Sequence, residues 1–371
     1  MSAAVSQRWV IKVGTSSLTD ADAGLKTAVI DDWARQISAL RNDGIECILV
    51  SSGSIGAGMH RLGWSSRPSE IHRLQAAAAV GQTSLVKAYE SAFRDFDIII
   101  AQILLTHADL ANRERYLNAK STLRALLNED VLPVVNENDT VVNDEIRFGD
   151  NDTLAALVCN LVEANLLVIL TDQEGLYDRD PRLDHTARLI TQVQADDPSI
   201  LDYAGQPGGQ GSGGMYTKVL AAQKAARSGA STVIASSAQS DLLVRLASGE
   251  SIGTTLHRGN NRLTARKQWL AGQLRGNGRL ILDDGAVRVL TEQGRSLLPI
   301  GVIGVEGEFS RGEIVTCTDQ NGTEVARGLI NYDASEARRI AGESSERIAD
   351  ILGYGGESEM IHRDNIAVTR R

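Results

Sequence analysis

The sequence is poor in residues on which several classes of protein depend. It has only 3 cysteines and 6 prolines in 371 residues, and 4% of its residues are aromatic. Cys47, Cys159 and Cys317 are far apart and form no Cys-x-x-Cys pair. An odd number of scattered cysteines argues against a disulfide framework and predicts buried free thiols in a reducing compartment.

Two further absences concern membranes and nucleic acids. The apolar runs, such as residues 98–105, are short and interrupted, and the N-terminal segment has no apolar core with a cleavage site. This pattern predicts neither a transmembrane helix nor a secretory signal, so we expect a cytoplasmic protein without membrane association. The formal net charge of −9 argues against nucleic acid as the main partner, because phosphate backbones are bound by surplus Lys and Arg. The six histidines have no ligand spacing, and no metal ligands are predicted in the chain itself.

Residues 8–255 alternate between strand-like and helix-like segments. Short apolar runs, rich in β-branched residues, predict strands buried on both faces of a parallel sheet. These runs are Trp9–Val13, Ile45–Val50, Ile98–Leu105, Val131–Val135, Leu166–Leu170 and Thr232–Ala235. Apolar residues at three- and four-residue steps predict intervening helices near residues 30–40, 116–127, 152–163 and 217–227. Repeated alternation indicates an α/β fold class with a mainly parallel sheet.

The pattern changes near residue 260. The polar segment 262–275 is predicted to be a helix or a linker, and Gly-Asn-Gly follows it. Beyond it, short strand-like runs are separated by Asp-Asp-Gly, Ser-Arg-Gly and Gln-Asn-Gly, which are typical of turns. We therefore predict one domain at 1–260, a linker at 261–275, a small β-rich domain at 276–354 and a C-terminal tail at 355–371.

Two lysines lie in segments suited to binding phosphate. Lys12 is inside an apolar strand, where a charge is costly unless it is paired, and a Gly-Thr-Ser turn with free backbone N–H groups follows it. Lys218 ends the glycine-rich segment 211–218, which opens a helix and can direct N–H groups and the helix dipole at phosphate. The alternatives are a strand-end lysine that reaches solvent and a flexible loop tip.

Three more polar motifs follow predicted strands, at the edge where open α/β sheets bind ligands. They are Ser-Ser-Gly-Ser-Ile-Gly-Ala-Gly at 51–58, Asn-Glu-Asn-Asp at 136–139 with Phe-Gly-Asp-Asn-Asp-Thr at 148–153, and Leu-Thr-Asp-Gln-Glu-Gly-Leu-Tyr at 170–177. Ordinary turns, and an N-cap at Asp150, are the alternatives. Neither a Walker A lysine pattern nor a dinucleotide fingerprint is present. Together with the two lysines, the motifs favour a phosphoryl-transfer site, which needs positioning and charge neutralisation.

These motifs resemble the amino acid kinase superfamily, and most closely its glutamate 5-kinase family, over nearly the whole chain. The resemblance is carried by VIKVGTSSL at 10–18, SSGSIGAG at 51–58, LPVVNENDTV at 132–141, FGDND at 148–152, LTDQEGLYDRDPR at 170–182 and GSGGMYTK at 211–218. The segments SLLPIGV at 296–302, FSRGE at 309–313 and ILGY at 351–354 resemble a PUA domain. The resemblance implies an αβα sandwich followed by a small β-rich PUA-like barrel.

The resemblance also assigns roles to individual residues. Lys12 and Lys218 match lysines that stabilise the transferring phosphoryl group, and Asp152 matches the aspartate that holds them. Ser52, Asp139 and Asn151 match glutamate-binding positions. The implied ATP site comprises Lys12, Thr171, Asp172, Ser212, Gly213, Gly214, Met215, Tyr216, Thr217 and Lys218. Two positions depart from the family pattern: residues 51–54 read Ser-Ser-Gly-Ser where Thr-Ser-Gly-Ala is commoner, and Ser212 stands where threonine is commoner.

The implied reaction is transfer of phosphate from ATP, with Mg²⁺, to the γ-carboxylate of L-glutamate, the first step towards proline. L-proline as a feedback inhibitor, a homo-oligomer and handover of the product to glutamyl phosphate reductase are implied with it. The alternatives are a related kinase acting on aspartate, N-acetylglutamate, carbamate or a uridine nucleotide, a catalytically dead regulator, and an RNA-binding module. Residues 276–371 contain 11 Lys and Arg against 16 Asp and Glu, a net charge of −5, which lacks the basic footprint of RNA binding.

Overall fold

The structure is a computed structural model that describes residues 7–20, 24–142, 151–205, 214–259 and 278–369. The chain divides into two compact units, one formed by residues 1–110 and 119–262 and the other by residues 111–118 and 263–371. The linker predicted at 261–275 lies outside the described residues. The predicted domain boundaries therefore stay predictions.

An eight-stranded sheet forms the centre of the first unit. Its strands run in the order β5-β6-β4-β1-β7-β9-β10-β8. They are β1 (Arg8–Val13), β4 (Glu46–Val50), β5 (Ile100–Leu105), β6 (Leu132–Glu137), β7 (Leu166–Thr171), β8 (Gln192–Gln194), β9 (Ser231–Ser236) and β10 (Thr254–His257). Every neighbouring pair is parallel except β9 and β10. The short strands β2 (Thr19–Asp20) and β3 (Gly24–Leu25) form a separate antiparallel pair. The mainly parallel sheet confirms the predicted α/β fold class.

Helices connect these strands. They are α1 (Thr15–Leu18), α2 (Thr27–Asn42), α3 (Ser54–Arg61), α4 (Ile71–Arg94), α5 (His107–Ala111), α6 (Arg113–Asn128), α7 (Asn151–Val162), α8 (Ile200–Tyr203), α9 (Met215–Arg227) and α10 (Leu242–Ala247). Helix α2 contains the helix predicted near residues 30–40, and it buries Ile30, Trp33, Ile37 and Leu40. Gly44 follows this helix at φ +80°, a left-handed conformation that suits glycine after a helix C-terminus.

The six predicted strands all form. Five of them are buried along nearly their whole length, but β5 lies at the edge of the sheet and is mostly half-buried or exposed, so its predicted burial on both faces is wrong. The central strand β1 is buried from Trp9 to Val13, with β4 on one side and β7 on the other. Two strands of the same sheet were not predicted. β8 consists of Gln-Val-Gln and is largely exposed, and β10 is only four residues long.

The second unit has its own sheet and its own apolar core. Its strands are β11 (Gly278–Leu282), β12 (Val302–Gly307), β13 (Ile314–Thr318), β14 (Glu324–Leu329) and β15 (Ile366–Val368), in the order β12-β11-β13-β14-β15. Its α-helices are α11 (Asp284–Arg288), α12 (Ala334–Ile340) and α13 (Ile348–Leu352). The prediction of a turn at Asp-Asp-Gly, residues 283–285, is wrong. Because the Asp283 side chain accepts a hydrogen bond from the Ala286 N–H, it caps the start of α11 instead.

The cysteines and the helices bear on two of the sequence-based predictions. Cys47, Cys159 and Cys317 are free and buried, as predicted. No helix within the described ranges is both long enough and apolar enough to cross a bilayer.

Candidate active site

Two lysines converge on one buried aspartate at the carboxyl edge of the large sheet. Lys12 Nζ on β1 is 2.6 Å from Asp152 Oδ1 on α7, and Lys218 Nζ on α9 is 3.1 Å from Asp152 Oδ2. Lys12, Asp152 and Lys218 are 5%, 1% and 6% exposed. The Thr217 hydroxyl also donates a hydrogen bond to Asp152 Oδ2, at 2.9 Å. The structure thus brings together the three residues predicted to be catalytic.

The charge balance of this group suits an anion. Burial by itself would raise the pKa of Asp152, but the ammonium groups of Lys12 and Lys218 outweigh it and hold the pKa well below its usual range. Asp152 is therefore ionised at neutral pH. With both lysines protonated, the three side chains carry a net charge of +1 in a largely dehydrated place. Such a site attracts phosphate oxygens more strongly than an exposed lysine would.

Asn151, the residue before Asp152, points to a different set of groups. Its Nδ2 donates to the Ser51 carbonyl oxygen at 2.5 Å and lies 2.8 Å from Asn136 Oδ1 and 3.1 Å from Ser52 Oγ. An amide nitrogen has only two hydrogens, so these acceptors use its whole donor capacity. No hydrogen bond joins Asn151 Oδ1 to another described residue, which makes this oxygen the end available to a ligand that donates.

Ser52 lies at the turn between β4 and α3. It is 5% exposed, and Gly53 follows it at φ +89°. This left-handed conformation is costly for any other residue, which explains a glycine directly before the helix. The turn brings the Ser52 hydroxyl next to the amide of Asn151.

Asp139 follows β6 and accepts a hydrogen bond from Ser54 Oγ to its Oδ2, at 2.7 Å. Burial raises the pKa of Asp139 to about 6, the Ser54 hydroxyl and Arg67 oppose this, and Glu137 adds to it. Glu137 itself is buried, and neither of its carboxylate oxygens has a hydrogen-bond partner among the residues that the structure describes. His107 Nδ1 is 3.5 Å from Glu137 Oε2. Two carboxyl groups therefore lie at this end of the site, and an ionised carboxylate suits a cationic group of a ligand.

Apart from Lys12 on β1, the described residues predicted to bind nucleotide lie at the end of β7 and at the start of α9. Thr171 ends β7 and is 4% exposed; its hydroxyl donates to Asp172 Oδ1 at 3.0 Å. Gly214 precedes α9, whose first turn contains Met215, Tyr216, Thr217 and Lys218. Ser212 and Gly213 lie outside the described residues, as does the N-cap predicted at Asp150. Within the described ranges, no group of three or more His, Cys, Asp and Glu side chains is arranged to hold a metal ion.

Two polar contributors were missed at the level of sequence. Gln82 on α4 accepts a hydrogen bond from Asn136 Nδ2 at 2.8 Å, which fixes the orientation of the Asn136 amide. In the sequence, Gln82 is one polar residue of a helical pattern, and nothing in that pattern connects it with the site. Ser54 is the second, because its contact with Asp139 was not predicted.

Comparisons with known proteins show the family to which this chain belongs. The amino acid kinase family matches residues 7–236, and the PUA domain matches residues 278–352. The first match spans more than half of the chain, so the chain belongs to the amino acid kinase family. The crystal structure of UMP kinase from Ureaplasma parvum, at 13% identity, covers 68% of this chain and 100% of its own with a TM-score of 0.50, which shows a shared fold.

Curated relatives narrow the assignment. Glutamate 5-kinase from Thioalkalivibrio sulfidiphilus is 58% identical over 98% of this chain and 97% of its own length. Glutamate 5-kinase from Nitrosococcus oceani is likewise 58% identical over 98% of this chain and 97% of its own. Within the amino acid kinases, the chain therefore belongs to the glutamate 5-kinase family, with a C-terminal PUA domain.

Proposed function

We propose that this chain transfers the γ-phosphoryl group of ATP to the γ-carboxylate of L-glutamate, giving ADP and L-glutamyl 5-phosphate. Membership of the glutamate 5-kinase family supports the reaction. The structural observation that carries it is the adjacency of Asn151 and Asp152. Asn151 contacts the polar turn after β4, and Asp152 contacts both lysines, so the amino-acid and phosphate ends of the site meet at two successive residues.

The amino-acid end has groups that match the α-carbon substituents of glutamate. The Asp139 carboxylate and Asn151 Oδ1 are acceptors and would bind the α-ammonium group. The Ser52 hydroxyl and the backbone N–H groups of Ser52 and Gly53 would bind the α-carboxylate. In this arrangement the side chain of glutamate extends towards Asp152 and the lysines.

The phosphate end would stabilise the transition state by charge. In-line attack of the γ-carboxylate on the γ-phosphorus spreads negative charge over the equatorial phosphate oxygens. Lys12 and Lys218, held by Asp152, would neutralise it without reorganising. A carboxylate is already ionised at neutral pH, so the attack needs no general base. Mg²⁺ would accompany the nucleotide phosphates and neutralise part of their charge.

The nucleotide would bind where β7 ends and α9 begins. The N–H groups in the first turn of α9 have no intrahelical partner, and the positive end of the helix dipole favours phosphate there. Thr171, Asp172 and residues 212–217 complete this part of the proposal.

An acceptor screen tests the reaction. ADP release would be measured with glutamate, aspartate, N-acetylglutamate, carbamate and UMP, and hydroxylamine would trap any acyl phosphate as its hydroxamate. We expect turnover with glutamate and formation of the glutamyl hydroxamate. ADP release with another acceptor and none with glutamate would refute the proposal.

Inhibition by L-proline is a further part of the proposed function. Proline has the same α-carboxylate and a secondary ammonium group, so Ser52, Asp139 and Asn151 could bind it, but it lacks the γ-carboxylate and would not react. Glutamate saturation curves at several proline concentrations should show a raised apparent KM and an unchanged maximal rate. A lowered maximal rate with an unchanged KM would point to a separate site.

Three other features belong to the same proposal. The acyl phosphate is labile, which favours direct handover to glutamyl phosphate reductase. Self-association into a homo-oligomer would cover the side chains of Ile99, just before the edge strand β5, and Leu104 within it, which are 69% and 37% exposed. The use of ATP and the three free thiols favour a cytoplasmic location.

A further inference from the structure

We propose that Ser54 is a positioning residue, which holds the Asp139 carboxylate in the orientation that binds the ammonium group of the substrate. The inference rests on the function proposed above. It goes beyond that function because Ser54 belongs to neither the substrate-binding nor the catalytic residues named there.

The geometry of the contact carries the argument. Ser54 is the first residue of α3 and is 4% exposed, and its hydroxyl donates to Asp139 Oδ2 at 2.7 Å. Among the described residues this is the only hydrogen bond to the carboxylate of Asp139. A carboxylate held through one oxygen directs the other, Oδ1, in a defined direction. The hydroxyl thus selects which oxygen faces the substrate.

The two partners differ in how firmly the fold holds them. Asp139 lies in a turn after β6, whereas Ser54 is in a helix packed directly against α4. A Cβ on Gly81 of α4 would lie 1.8 Å from the Ser54 carbonyl oxygen, and a Cβ on Gly58 of α3 would lie 1.8 Å from the Ala77 carbonyl oxygen. Only glycines permit this close approach of the two backbones. Because α4 fixes the backbone of Ser54, the helix can position the turn.

The charged groups around Asp139 increase the effect of the Ser54 hydroxyl on the ionisation of this carboxyl group. Glu137 is the like-charged neighbour that disfavours ionisation of Asp139, and Arg67 is the opposite charge that favours it. A donor to the ionised carboxylate stabilises the form that binds an ammonium group. An alanine side chain at this position would provide no such donor.

The test is the Ser54→Ala variant, which replaces serine by a residue that fits the same space. We expect the KM for glutamate to rise about three- to tenfold, the effect of one hydrogen bond, with kcat and the KM for ATP unchanged. We also expect the acid limb of kcat/KM for glutamate to move upward by about half to one pH unit, because the ionised form of Asp139 loses its donor. A purely structural role of Ser54 would not move this limb.

Two further variants sharpen the experiment. Ser228→Ala is the matched control: it removes another serine–side-chain hydrogen bond, from Asn160 Nδ2 at 2.9 Å, and should leave the KM and the pH profile unchanged. In an Asp139→Asn background, Ser54→Ala should have no additional effect on the KM for glutamate.

The outcomes separate this inference from the proposed function. An Ser54→Ala enzyme with an unchanged glutamate KM and acid limb would overturn the inference while the wild-type activity stands. A decrease in kcat together with similar increases in the KM for glutamate and for ATP would also overturn the inference. Such changes indicate a general structural defect. A wild-type enzyme that does not phosphorylate glutamate would instead refute the proposed function.

Discussion

Replacing Asp152 by asparagine perturbs the centre of the proposed site. The substitution keeps the shape of the side chain and removes the charge that faces both lysines. Because the ammonium nitrogens lie 2.6 and 3.1 Å from separate carboxylate oxygens, their Coulombic attractions are about 6 and about 5 kcal/mol at an effective dielectric constant of about 20. Desolvation of all three groups cancels much of this, and breaking a buried ion pair by removing one partner typically costs about 3–5 kcal/mol.

Two measurements should therefore change together in Asp152→Asn. Thermal unfolding should occur about 6–20 °C lower, at about 2–4 °C per kcal/mol for a unit of this size. Turnover in the hydroxamate assay should fall by about 10²–10³-fold, because the lysines are no longer preorganised. The pKa of Asp152 is lowered in the folded state, so its stabilisation is complete above the unfolded value and is lost only as pH falls below that value. The difference from wild type should accordingly be constant between pH 6 and 8.

The matched control is Asp180→Asn, which breaks an ion pair with Arg182 on the surface, at 2.8 Å. Exposed pairs contribute little to stability because solvent screens them, so this variant should unfold and turn over almost like wild type. Wild-type turnover in Asp152→Asn would refute the view that this carboxylate positions the lysines. If Asp152→Asn unfolded at a temperature as high as that of the control, the predicted contribution of Asp152 to stability would be refuted.

The other predictions concern the two ends of the site and the second unit. Lys12→Ala and Lys218→Ala should each lower kcat by about 10²–10³-fold, and near-normal turnover in either variant would exclude its assigned role. Asp139→Ala and Asn151→Ala should mainly raise the KM for glutamate; a change confined to the KM for ATP would contradict this. Because Asp139 has a pKa of about 6 and binds an ammonium group only when ionised, the wild-type KM for glutamate should rise about tenfold from pH 7 to pH 5, and Asp139→Asn should abolish this dependence. Residues 1–270 should fold and retain kinase activity, and a refolded but inactive truncation would argue against separable domains.

The sheet was predictable to the extent that burial determines the composition of a strand. β1, β4 and β7 are covered on both faces, so each is a continuous apolar run in the sequence. β8 and β10 lie at the far end of the sheet and carry polar residues, and no pattern marked them. Their pairing depends on neighbouring strands that are distant in the sequence.

The site was predictable where a residue is unusual in its own segment. Lys12 is a charge within a buried strand, and the glycines before Lys218 precede a helix, so both residues stood out. The contact between Ser54 and Asp139 could not be predicted in this way. The contact depends on the close packing of α3 against α4, where Gly81 approaches the Ser54 carbonyl oxygen. This approach is a tertiary contact that the sequence pattern does not reveal.

The central position of β1 has a consequence for synthesis on the ribosome. β1 leaves the ribosome first, and the half of the sheet formed by β5, β6, β4 and β1 can assemble once residue 137 has emerged. Its other neighbour, β7, is complete only at residue 171, which is 34 residues after residue 137. At about 5–20 residues per second, one edge of β1 in this half-sheet lacks its partner for about 2–7 s. During this interval the nascent chain exposes an apolar strand edge, which makes the first half of the gene the part most sensitive to slow translation and to chaperone supply.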